Sequence, residues 1–159
     1  MGNLPAPLFR DERVGLYGLD RLFVAVWDDA PRLAHMQALA KYGREFESEA
    51  GPTALLNIAA DGHPEFSDDV RRIASDLTRD ATLFQVARAH VILMTGFTGV
   101  AVRAFINTFL LIGNPPKPTR MLSSVSAASE WLPQFVEDPR WSAAEIERFG
   151  NALVSSHQR

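Results

Sequence analysis

The chain reads as a single α/β domain built on a mixed β-sheet, and three observations predict it. Two short apolar segments, residues 13–17 and 22–28, flank Gly18-Leu19-Asp20-Arg21, the pattern of an antiparallel hairpin. Segments of helical and strand-like periodicity then alternate, which favours parallel strands joined by right-handed crossovers. Residues 91–112, VILMTGFTGVAVRAFINTFLLI, are apolar almost throughout, with Arg103 as the one charge. Thr95, Gly96, Thr98 and Gly99 punctuate that block, so it reads as a buried strand, a turn and a buried helix.

Pro31 opens the first helix. Leu33, Met36, Leu39, Ala40, Gly43, Phe46 and Ala50 follow at helical spacing, with Lys41, Arg44, Glu45, Glu47 and Glu49 mostly off that face. Gly51-Pro52 ends it, and 53–59, TALLNIA, reads as a buried strand. Ser67 is the expected cap of a second helix over 68–84, with Asp68 and Asp69 opposing its dipole. A strand over 87–95 and the apolar helix over 97–112 come next, and Gly113-Asn114-Pro115-Pro116 breaks the latter. A short strand at 120–123 precedes a helix capped by Ser124 or Ser126. Ser142 and Glu145 have capping-box spacing and open a terminal helix. Residues 1–12 are expected to form a flexible arm, 13–136 the α/β domain, and 137–159 a C-terminal helical extension.

At 159 residues the chain fits one domain that buries roughly 70% of its unfolded surface. A net charge of −3 offers no general attraction to nucleic acid, and Arg71-Arg72 and Arg79 are interleaved with aspartates as on a solvated helix face. With no cysteine there is no disulfide framework, thiol catalysis or thiolate metal site. His35, His63, His90 and His157 lack paired ligand spacing, so neither metal nor cofactor is expected. The N-terminal MGNLPAPLFRDER has no signal-peptide pattern, and Ala6 stands where the myristoylation motif at Gly2 wants Ser or Thr. The apolar block is long enough to span a bilayer, yet Arg103 at its centre would cost roughly 2.5–3.5 kcal/mol. A soluble cytoplasmic protein without membrane insertion is the expectation.

The order of strand pair with FVAVW, helix, short strand, helix, RAHVILMTGFTGVAVRAFINTFLLI, strand and SVSAASEWL resembles the STAS-like superfamily. It is most similar to bacterial SpoIIAA-like proteins, and the likeness covers 14–136. The resemblance implies a STAS-like mixed sheet with an N-terminal hairpin, helices packed on it and an extra C-terminal helix. It also implies either a protein-interaction module or a groove for a lipid-like ligand. The phosphoacceptor pattern of the antagonists, Asp-Ser-Ser or Asp-Ser-Thr followed by Gly, is absent after 53–59. Ser67 is nearest in position, but Asp68 and Asp69 would oppose a phosphate there.

Two sets of residues are candidates for function. Arg103 and Asn107 are four apart on the apolar helix and share a face that must meet solvent, an acidic partner or another subunit. With Phe105 and Phe109 they form the expected partner-binding set of a non-enzymatic, self-associating module, either a homodimer or a complex with a protein partner. The alternative is a carrier or sensor of a small apolar ligand, held between that helix and the terminal one. Asp61, His63, Thr95 and Thr98 should lie near the C-terminal ends of the strands, where open sheets bind ligands. His63 beside Asp61 or Glu65 has the composition of an oriented base, but no nucleophile is tied to it by spacing, and an ordinary polar turn explains DGHPEF. Thr98 serves equally well as a helix cap.

Overall fold

The computed structural model describes residues 3–159, so Gly2 and the myristoylation reading attached to it lie outside the described residues. Six strands form one sheet in sequence order: β1 (Phe9–Arg10), β2 (Val14–Leu19), β3 (Leu22–Trp27), β4 (Ala54–Ala59), β5 (Ala87–Ile92) and β6 (Thr119–Leu122). The first three pair antiparallel and the last four parallel. The fold is therefore α/β with a mixed sheet. The hairpin closes on the Leu19–Leu22 pair, with Asp20 in the left-handed region at φ 54°.

Strands β3 to β6 step across the sheet in one direction, so right-handed crossovers put all three connecting helices on one face. These are α1 (Leu33–Ala50), α2 (Asp68–Arg79) and α3 (Gly96–Gly113). The chain then folds behind the sheet, where α4 (Val125–Trp131) and α5 (Ala143–His157) cover the other face. Alternate residues of each strand feed the two layers. Leu22, Val24 and Val26 pack under α4 and α5, while Phe23, Ala25 and Trp27 pack under α1 to α3. Covered on both sides, β3 and β5 are buried at every position, and β3, LFVAVW, accordingly reads as a continuous apolar run.

Serine caps form as their spacing suggests: Ser67 accepts from Val70 N–H, Ser124 from Ala127 N–H and Ser142 from Glu145 N–H. Three sequence expectations need correction. Within the stretch read as a free arm, Phe9–Arg10 pairs with β2, and the Phe9 ring lies 5.8 Å from that of Tyr42. A two-residue strand carries no periodicity to read. The last helix is no appendage, because Ile146, Phe149 and Leu153 complete the core behind the sheet. It lies on the opposite face from α3, which rules out a ligand held between those two helices.

The third correction concerns α2, which ends at Arg79 rather than continuing to residue 84. Two buried ions hold the chain out of helix there. Glu47, on the inward face of α1, accepts backbone N–H groups from Thr53 at 3.0 Å, Gln85 at 3.2 Å and Phe84. Arg88, buried on β5, donates to the carbonyls of Leu77, Thr78, Asp80 and Leu83. Burial lowers the pKa of Arg88, an effect opposed by the charges of Asp80 and Glu47. The loop so fixed places Phe84 at φ 49° and still buries Leu83 and Phe84 in the core.

Removing the guanidinium in Arg88→Leu strands several buried carbonyls at once. It should lower unfolding free energy by roughly 3–5 kcal/mol in urea titrations. Arg44→Ala, which breaks the partly exposed pair with Asp80 and an exposed bond to the Thr82 hydroxyl, should cost less than about 1 kcal/mol. Equal losses in the two variants would contradict this account of the loop.

Candidate functional site

Between the sheet and α1 to α3 the side chains leave a cavity of about 110 Å³. Its walls are overwhelmingly apolar, with Leu39 from α1, Ala74 and Leu77 from α2, and Val102, Ile106 and Phe109 from α3. The mouth opens at the C-terminal ends of β3 and β4, bordered by Asp29, Pro31, Asp61 and His63. Gly62 belongs to this rim. It has φ 133°, and a Cβ there would come within 2.7 Å of the Asp29 backbone, so only glycine lets the two loops meet so closely. Phe66 stacks flat on Phe105 beside the opening, with centroids 3.7 Å apart and 2° between planes.

The floor is polar, and the sheet register explains how. Ala25, Asn57 and His90 are direct neighbours across β3, β4 and β5, all pointing to the α1–α3 side. The Trp27 indole N–H donates to Asn57 Oδ1 at 2.7 Å, and the Asn57 amide meets His90 Nδ1 at 3.0 Å. The His90 ring stands edge-on to Phe109 at 5.9 Å. Burial, assisted by the nearby positive charge of Arg88, pushes the His90 pKa down to about 4, so the imidazole is neutral at pH 7.

The sequence candidates separate on this frame. Asp61 and His63 stand at the mouth, where Asp29 accepts the His63 backbone N–H at 3.1 Å. Those two bonds, to His63 and Ala30 N–H, hold the Asp29 carboxyl below its usual pKa. His63 itself is exposed, and its Nδ1 lies 3.6 Å from Asp29. Thr95 precedes α3 without a side-chain capping bond, and neither it nor Thr98 lines the cavity. Phe105 and Phe109 face the cavity, Arg103 reaches the Met94 carbonyl at 3.3 Å, and Asn107 is exposed.

The outer face of α3 carries a separate apolar patch. Phe97 is 96% exposed and Leu111 83%, with Val100 and Ile112 also open to solvent. Gly96–Gly113 is the one helix among the described residues long and apolar enough to cross a membrane by length and composition.

A second cluster ties the chain end to the sheet. His157 has a fully buried side chain, with Nε2 2.7 Å from the Tyr17 hydroxyl and Nδ1 2.5 Å from Asp28. Burial raises the Tyr17 pKa. Among the described residues no group of three or more His, Asp or Glu could hold a metal ion.

Three floor residues, Asn57, Arg88 and His90, escaped the sequence reading. Their signal was present: each is a polar residue in a short segment read as a strand between helices, where burial on both faces demands a partner for it.

The depressed His90 pKa has a consequence for stability. Unfolded protein takes up this proton near pH 6.5 and folded protein only near pH 4, so stability is full above pH 6.5 and falls as pH drops towards 4. The loss approaches about 3 kcal/mol at its limit. Urea titrations at several pH values should show this decline in wild type and a much shallower one in His90→Leu. Parallel declines would place the titration elsewhere.

No family model matches the chain, and neither curated proteins nor solved structures give a match.

Proposed function

We propose that this protein is a non-enzymatic carrier or sensor that holds a small apolar ligand between its sheet and helices α1 to α3. The observation that carries the reading is the cavity, apolar in its walls and open at the edge where parallel strands end. Well-packed interiors leave few voids larger than a water molecule. An apolar cavity of about 150 Å³ takes up benzene; this one, at about 110 Å³, is of the same order and open at one end, which suits the buried end of a molecule that projects through the mouth. Asp61 and His63 at the mouth would meet whatever part of the ligand projects into water. The order of hairpin, helices and strands supports a STAS-like kinship as part of this proposal.

Ethylbenzene and acetophenone are suitable probes for uniformly labelled, folded protein. At least one should give saturable NMR shifts at Leu55 and Ile106, and Ala74→Leu, which fills the cavity, should abolish them. Absence of saturable shifts for both probes in wild type would end this reading.

A second reading, self-association through α3, is favoured by the exposed face bearing Phe97, Val100 and Leu111. Arg103 and Asn107 would then fix orientation at its edge. A stable interface buries on the order of 800 Å² per partner. Light scattering should report a dimer that Phe97→Glu with Leu111→Glu converts to monomer. A wild-type monomer at high concentration would remove the motive for it.

A further inference from the structure

Resting on the cavity reading, we infer that the ligand carries a neutral hydrogen-bond acceptor, of the ketone, ester or ether class, read at the cavity floor by the Nε2–H of His90. The direction of the hydrogen bonds along the floor leads to this. An indole nitrogen donates and never accepts, so the group facing Trp27 must be the Asn57 oxygen. The other end of the same amide is then its NH₂, which donates to His90 Nδ1. A neutral imidazole with an accepting Nδ1 carries its single hydrogen on Nε2. Three residues on adjacent strands thus fix one tautomer and present one donor.

That donor has no protein partner among the described residues; His90 lines the cavity, and its Nε2 is not sealed off, so the donor is reachable from the open space. Two positions earlier on the same face of β5, Arg88 Nε is buried and also lacks a partner, and Arg88 lines the cavity too. The floor therefore offers free donors where the walls are almost all carbon, the Thr78 hydroxyl being spent on the Ala74 carbonyl. An apolar ligand that displaces water from this donor leaves it unpaired, which costs free energy, and an acceptor on the ligand removes that cost. A hydrocarbon leaves the donor unpaired.

The acceptor should be neutral. His90 is uncharged at pH 7, and the guanidinium charge of Arg88 is opposed by Glu47 and Asp80, both close enough to act on it. A carboxylate entering this site would lose its hydration without gaining a free counter-ion. The aspartates Asp29 and Asp61 at the mouth would repel it on the way in.

Ethylbenzene, acetophenone and benzoate match in shape and differ in the polar group, so their relative affinities test the inference. The ratio of acetophenone to ethylbenzene affinity should fall by about tenfold from wild type to His90→Leu. In wild type, imidazole ¹⁵N spectra should show protonated Nε2 and unprotonated Nδ1 at His90, and acetophenone but not ethylbenzene should shift the Nε2 signal. This second readout decides the matter if the variant does not fold. An unchanged ratio, a proton on Nδ1, or preference for benzoate would overturn the inference while leaving the cavity as a binding site. Failure of all three molecules to bind wild type would overturn the cavity reading and this inference together.

Discussion

The sheet of this protein is covered on both faces, and the constraint on which the rest depends is that every polar group inside it must find a partner. Three side chains test the rule on the α1–α3 side. Asn57 meets it with the Trp27 indole and the His90 ring. Arg88 meets it at its two terminal nitrogens, which collect the carbonyls at the end of α2 and in the loop that follows, and leaves Nε without a partner. His90 meets it at Nδ1 alone. Since the net value of a satisfied bond is about 1 kcal/mol, while an orphaned buried group costs about 1–3, the unsatisfied position shapes the structure more than the satisfied ones.

The cavity follows from the same accounting. Parallel strands laid down in sequence order place three helices side by side on one face, and helices of unequal length cannot tile it fully. Had α2 continued to residue 84, its last turn would have carried Phe84 along with it. Glu47 and Arg88 instead capture that stretch as a loop, turning Phe84 into the core beside α1, where its ring approaches Gly43 so closely that a Cβ would sit 2.7 Å away. The space left over the middle of β4 and β5 lies above Asn57 and His90. Filling it with carbon would seal a donor away from any acceptor, so the open volume and the polar floor belong to one solution.

Much of the architecture was legible in the sequence because it rests on local signals. Ser67, Ser124 and Ser142 cap their helices through bonds three residues away, and Gly113 with Pro115 and Pro116 stops α3 within one residue of where punctuation places the end. The site was less legible because it rests on register and on long-range pairing. His90 and Asn57 are 33 residues apart, and nothing short of strand alignment makes them neighbours. Glu47 lay among charges expected to face water, yet its carboxylate serves amides 6, 37 and 38 residues away. The sequence marks α3 as apolar almost throughout, but a helix apolar on nearly every side has no periodicity to say which aromatic faces inward. Phe105 and Phe109 do, whereas Phe97 does not.

Helix α3 connects the two readings of function. Val102, Ile106 and Phe109 form a cavity wall, while Phe97, Val100 and Leu111 occupy the outer surface of the same rigid segment. Beside the mouth, Phe105 stacks on Phe66 of the loop ahead of α2, so a ligand large enough to displace that pair requires α3 or the loop to yield. A helix moves as a body, and any shift of its inner face displaces its outer one. If the outer face holds a second molecule, ligand binding inside and association outside draw on a common conformational equilibrium. Linkage then requires each to alter the other's affinity by the same factor. The readings would be independent only if the cavity fills with α3 unmoved.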